Sequence, residues 1–146
     1  MADFFKDKCT DKTLENEGVK VYLPRFDCTI TVCRTRNKRQ IELNDKLMKP
    51  YKQFQKNGVF VKVPDDIQKQ IEAVTVRVFA ETILVGFEGI EVDDKPFPYT
   101  VENAIRLLED NDFFSDVHEA ASLQETFRKV TIENNLKNLG KVSSGS

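Results

Sequence analysis

The chain has 146 residues, 40% of them hydrophobic and 32% charged, which suits one globular domain and excludes a disordered or low-complexity protein. Its net charge is −2, unevenly spread: residues 1–62 carry 14 Lys and Arg against 8 Asp and Glu, and residues 63–146 carry 8 against 16. The longest apolar stretch, Val78 to Phe87, is interrupted by Glu81 and falls far short of the roughly 20 residues a membrane span needs, while the opening Met-Ala-Asp-Phe-Phe-Lys-Asp-Lys lacks a signal-like apolar region.

Residues 1–17 are charged and weakly patterned and read as a mobile arm with one helical turn. Val19-Lys20-Val21-Tyr22-Leu23 alternates apolar and polar side chains, Pro24 ends the run, and Cys28 to Arg34 alternates again. β-branched residues dominate both, so a hairpin is expected. A hairpin is marginal alone, and Val59-Phe60-Val61-Lys62-Val63 alternates in a way that predicts its third strand.

Between them, Leu47, Met48, Tyr51 and Phe54 follow helical spacing. Pro50 removes a helical hydrogen bond, so the helix kinks there or stops near Met48 and restarts with Pro50 at its first position. Pro64-Asp65-Asp66 opens the next helix, since proline and acids suit a first turn. Ile67, Ile71, Val74, Val78 and Val85 continue it at helical spacing, although Val74, Val76, Val78 and Ala80 also alternate. An unbroken pattern of about twenty residues is too long for a strand, so the sequence predicts a helix to about Val85, closed by Gly86 and Gly89. Glu81 lies in its most apolar part and needs a partner or an edge position.

Asp93-Asp94-Lys95-Pro96 reads as a turn. Thr100 is placed to cap a short helix from Val101 to Glu109, with Glu102 in its first turn. Asp112 is placed to cap the next, which buries Phe113, Val117, Ala120 and Ala121 and either breaks at the Ser122-x-x-Glu125 capping pattern or runs on past Phe127 to Leu136. The expectation is an α+β fold, mainly helical: a small N-terminal antiparallel hairpin or three-stranded sheet packed on about four to five helices. It comprises one domain over residues 18–139 and a flexible tail over 140–146.

No chemistry declares itself. No phosphate-binding glycine motif is present, and His118, the one histidine, has no recognisable catalytic partner. Cys9, Cys28 and Cys33 are odd in number and lack C-x-x-C spacing, which argues against a disulfide framework. Zinc would have to combine Cys28, Cys33 and His118 with a carboxylate at a spacing that fits no known pattern. Neither Asp93-Asp94 nor the acids from Glu109 to Asp112 belong to a calcium loop. No catalytic residue, metal or cofactor is therefore assigned. The sharpest charge cluster runs from Arg34 through Arg36, Lys38 and Arg39, followed by Lys46, Lys49, Tyr51, Lys52 and Lys56. An acidic pI of about 5.5 weakens a nucleic-acid reading of it and favours a protein partner.

Phe79-Ala80-Glu81-Thr82-Ile83-Leu84-Val85-Gly86-Phe87, then Asp93-Asp94-Lys95-Pro96-Phe97-Pro98-Tyr99-Thr100-Val101-Glu102-Asn103-Ala104, then Phe113-Phe114 and Phe127-Arg128, resemble in order and spacing the tail assembly chaperones of long-tailed bacteriophages. Lys49-Pro50-Tyr51 resembles the segment after that family's first helix. Phe87 stands where the family usually has Trp. The resemblance implies a non-enzymatic protein that binds and solubilises the tape measure protein and helps recruit tail tube subunits. It also implies action in the host cytoplasm, absence from the mature virion and, in some members, a longer frameshifted product. The uneven charge suggests self-association as well. The rival readings are a neck or tail accessory retained in the virion, an enzyme using His118 or Cys28, and a nucleic-acid module.

Overall fold

The computed structural model describes residues 9–128. The fold is α+β and mainly helical: a three-stranded antiparallel sheet carries helices, and two very short hairpins project from it. In chain order the elements are α1 (Lys12–Glu17), β1 (Val19–Leu23), β2 (Cys28–Val32), α2 (Lys38–Met48), a 3₁₀ segment (Lys49–Phe54), β3 (Gln55–Lys56), β4 (Val59–Phe60), α3 (Asp65–Thr82), β5 (Leu84–Glu88), β6 (Glu91–Val92), β7 (Lys95–Pro96), α4 (Val101–Leu108), α5 (Asn111–Ser122) and a closing 3₁₀ turn (Gln124–Phe127).

The hairpin expected from the alternation is β1–β2, with Val19 opposite Val32 and Leu23 opposite Cys28. Alternation gives the sheet one inward face: Cys28, Ile30 and Val32 are buried. The third strand is not Val59–Val63. It is β5, which pairs antiparallel with β2 and sets Ile30 against Phe87 and Thr31 against Gly86. The helix expected to reach Val85 therefore stops at Thr82, and Gly86 lies within a strand rather than closing a helix. Leu84 and Phe87 are buried there. Backbone pairing with β2 rewards an extended chain, which a local helical pattern does not register. Val59 and Phe60 instead form a separate hairpin with Gln55 and Lys56 across Asn57-Gly58, whose φ angles of 54° and 80° match the two positive values of a type I′ turn.

The remaining boundaries follow local chemistry. The helix does restart after Met48, as a 3₁₀ segment that begins at Lys49, with Pro50 second rather than first. Thr100 caps α4 by accepting the Asn103 N–H at 3.0 Å. The cap of α5 is Asp110, not Asp112: its carboxylate accepts the Phe113 N–H at 2.9 Å, and Asp112 becomes a first-turn acid. α5 ends at Ser122, and the following turn has no side-chain cap. The proposed continuation to Leu136 and the tail from Gly140 lie outside the described residues.

Residues 9–17, read as part of a loose arm, are tied to the domain. The Asp11 N–H donates to the Phe127 carbonyl at 2.9 Å, and Arg34 Nη1 meets Glu15 Oε1 at 2.6 Å. Gly18 then takes φ of +101°, and a Cβ there would lie 2.9 Å from Thr31 Cγ2, so only glycine lets α1 turn directly into β1.

The core lies between the inward face of the sheet, the C-terminal half of α3, α4 and α5. Ile30, Ile83, Leu84, Val117 and Phe127 are fully buried. α3 and α2 run antiparallel. Asn37, at the start of α2, donates to the Thr82 carbonyl at the end of α3, while Tyr51, just beyond the end of α2, donates to Gln70 near the start of α3.

Candidate functional site

The basic residues singled out from the sequence do not form one stripe. Arg36, Lys38 and Arg39 lie at the start of α2, whereas Lys49, Tyr51, Lys52 and Lys56 lie past its end. At 1.5 Å of rise per residue, Lys38 and Lys49 stand about 16 Å apart along the axis. Lys38 pairs with Glu42 at 3.9 Å. Arg39 is exposed but bends back over α1, with Nη2 3.1 Å from the Asn16 carbonyl and 3.2 Å from Cys33 Sγ. Lys49, Lys52 and Lys56 are exposed, so the far group keeps its charge available.

The resemblance motif is a set of folding devices. Glu81 reaches the edge of the structure and takes Arg77 Nε at 2.9 Å. Phe87 is buried, with Phe97 and Tyr99 at ring-centre distances of 6.1 and 5.4 Å. The Tyr99 hydroxyl lies 3.3 Å and 3.2 Å from the carbonyls of Ala80 and Leu84, bracing the corner where α3 gives way to β5. Pro98 accepts from Asn103 Nδ2 at 2.9 Å, and Glu102 lies in the first turn of α4. Phe113 packs edge-on against Phe26, Phe114 packs on Phe79 with ring centres 4.6 Å apart, and Phe127 is fully buried.

His118 is exposed and lies beside the Phe79 and Phe114 rings. Cys28 and Cys33 are buried, and burial pushes both thiols up, partly offset at Cys33 by Arg39. A thiol pushed this way is a poor nucleophile at neutral pH. Among the described residues, no group of three or more His, Cys, Asp or Glu could hold a metal ion, and no helix is long and apolar enough to cross a membrane.

A groove of about 610 Å³ lies between the N-terminal half of α3 and the α4–α5 corner. Ile71, Val76, Ile105, Leu108 and Phe114 supply its apolar wall, and Lys69, Glu72 and Glu109 are among its polar lining residues. Helical spacing places Ile71, Ile105, Leu108 and Phe114 on buried faces, whereas Val76 falls off the α3 stripe. Several are only half-buried, including Val76, Ile105 and Phe114, because α4 and α5 close over the C-terminal half of α3 and leave the other half open. The signal that could have found it was the length of α3, which outruns the elements available to cover it. An open apolar channel bounded by helices receives an amphipathic helix or extended apolar side chains.

A family model described as YdaY prophage protein matches residues 36–138. The chain belongs to that family. The match covers well over half of the chain, and within the described residues it takes in everything from α2 to the closing 3₁₀ turn. No curated protein and no solved structure matches the chain. Membership in the YdaY prophage family makes this a phage-related protein, and both walls of the groove fall within the matched span.

Proposed function

We propose that the chain is a non-enzymatic tail assembly chaperone that binds the tape measure protein, keeps it soluble and helps recruit tail tube subunits. It acts in the host cytoplasm and leaves before the particle is complete. Prophage family membership supports a phage role, and the order of the motifs resembling tail chaperones supports this particular one. The observation that carries the reading is the open apolar groove on α3, whose walls suit one face of a long amphipathic helix. A tape measure presents such helices and would self-associate if left uncovered.

The test is co-expression with the tape measure gene of the same prophage. The expected result is a soluble tape measure that co-purifies with the chain, and loss of both effects when Ile105 and Val76 are changed to Glu. A tape measure that stays insoluble, or an Ile105→Glu/Val76→Glu variant that holds it as well as the parent does, overturns the reading. Mass spectrometry of purified particles decides the rival: stoichiometric copies in the virion would make this a retained tail component instead.

A further inference from the structure

The second feature left open by the fold is the β3–β4 hairpin. Five large apolar side chains among the described residues are well exposed, and two of them, Val59 at 63% and Val61 at 44%, lie on this hairpin and its continuation. Lys56 and Val59 are directly paired, so they share a face. The Val61 N–H donates to the Phe54 carbonyl at 2.9 Å and extends the ladder by one step, which returns Val61 to that face. Lys56, paired with Val59, and Lys62, next to Val61, are exposed and make no ion pair with the described residues. An apolar tip flanked by cations is an uncomfortable thing to leave in water.

The groove is its chemical complement. Its apolar wall is flanked by Glu72 and Glu109, against the single cation Lys69. The α4–α5 corner beside it is acidic throughout: residues 101–122 carry six Asp and Glu and one Arg. Glu72 and Glu109 make no ion pair with the described residues either.

We infer that the groove receives the β3–β4 hairpin of a second copy of this chain, with Val59 and Val61 against Val76, Ile105 and Phe114, and Lys56 and Lys62 against Glu72 and Glu109. Hairpin and groove sit at the same end of α3, so a reciprocal exchange closes a two-fold dimer and leaves neither feature open. The contact is small by the standard of stable interfaces, so the dimer is weak and depends on salt. The docking stands on these charges and apolar residues alone. Only its consequence rests on the proposed function: a client helix and a second copy compete for one groove, so the free protein is capped and a client uncaps it.

The experiment is analytical ultracentrifugation of the full chain and two charge-reversed variants, Lys56→Glu/Lys62→Glu and Glu72→Lys/Glu109→Lys, with circular dichroism to verify folding. The parent is expected to dimerise at about 0.1 M salt and much less at about 1 M, where the screening length falls from about 10 to about 3 Å. Each variant alone weakens the dimer by at least about tenfold, or about 1.4 kcal/mol. An equimolar mixture of the two restores it, because each acidic hairpin then finds a basic groove and each basic hairpin an acidic one. Val59→Ser/Val61→Ser weakens association without touching any charge. A parent that is monomeric at both salts overturns the inference, as does either charge variant dimerising like the parent, or a mixture that stays monomeric. None of these outcomes involves the tape measure, so they leave the chaperone reading to its own test.

Discussion

The two ends of α3 are built to different rules. Its C-terminal half contributes Phe79 and Ala80 to a core closed by the sheet, α4 and α5 and buries Val78 and Thr82 besides, whereas its N-terminal half buries Ile71 alone. At the first end every apolar side chain finds a neighbour. At the second, α2 covers one side, and the groove and the β3–β4 hairpin stay open to water. The lesson is that one helix divides the labour: the closed end sets stability and the open end presents binding surface. Mutations at the two ends should therefore separate cleanly into losses of folding and losses of association.

The largest effect is expected at the closed end. Phe127 is fully buried and anchors the turn after α5. Phe127→Ala removes a ring from a packed site and should cost about 3–5 kcal/mol, lowering the melting temperature by roughly 10 °C. Ile105→Glu, at the half-buried rim of the groove, should cost far less stability while abolishing client binding. Thermal melts of both proteins make the check. Equal destabilisation by the two would mean that the ends are not distinct.

Asn37 is the joint between the ends, and its replacement should have an intermediate effect. Its side chain caps α2 by accepting the Gln40 N–H at 3.0 Å and donates to the carbonyls of Arg34 and Thr82 at 2.9 and 3.1 Å. Asn37→Ala loses a helix cap and strips the donor from a carbonyl at the end of α3. Together these should cost about 2–3 kcal/mol. The damage should concentrate on α2. Amide exchange should accelerate there more than in β2 or α5, and uniform acceleration would show that α2 has no independent opening.

Much of the fold was legible in the sequence wherever local chemistry decides it. Period-two alternation gave β1 and β2, Pro50 placed the helix restart, and Thr100 capped α4. What escaped was decided by distant partners. Val85 continues a helical stripe, yet Leu84 to Glu88 becomes a strand because β2 offers it a ladder. Val59 to Val63 alternates like a sheet strand, yet forms only a two-residue ladder with Gln55 and Lys56, which leaves its valines outside. Asp110 and Asp112 are equally good caps in isolation, and the backbone at Asp110 chose between them. The groove was illegible for a related reason. Its wall is split among α3, α4 and α5, and a side chain half-buried in a channel has the same sequence signature as one in a core.

The smallest effect concerns α1, which packs Leu14 against the core at the closed end but is otherwise attached by polar contacts. None of its own residues is buried. It is held by Glu15, which receives hydrogen bonds from Thr10 and Arg34, and by the backbone contact of Asp11 with Phe127. Burial by itself would raise the Glu15 carboxyl, but the hydrogen bonds from Thr10 and Arg34 and the charge of Arg34 outweigh it and hold the group below its ordinary 4.5. A carboxyl whose folded pKa is depressed binds protons more readily when unfolded. Its contribution is therefore complete above about pH 4.5 and is lost as the pH falls below that value. Glu15→Gln should accordingly cost about 1 kcal/mol at pH 7 and progressively less at acid pH, so that the denaturation midpoints of variant and parent converge. Cys33 provides a local probe, since its Sγ lies 3.2 Å from the Asn16 carbonyl within α1 and α1 shields it from reagents. Thiol labelling at Cys33 should therefore quicken in the variant at neutral pH, while the equally buried Cys28 on β2 keeps the parent's rate. If both thiols quickened together, α1 would be part of the cooperative core rather than a latch upon it.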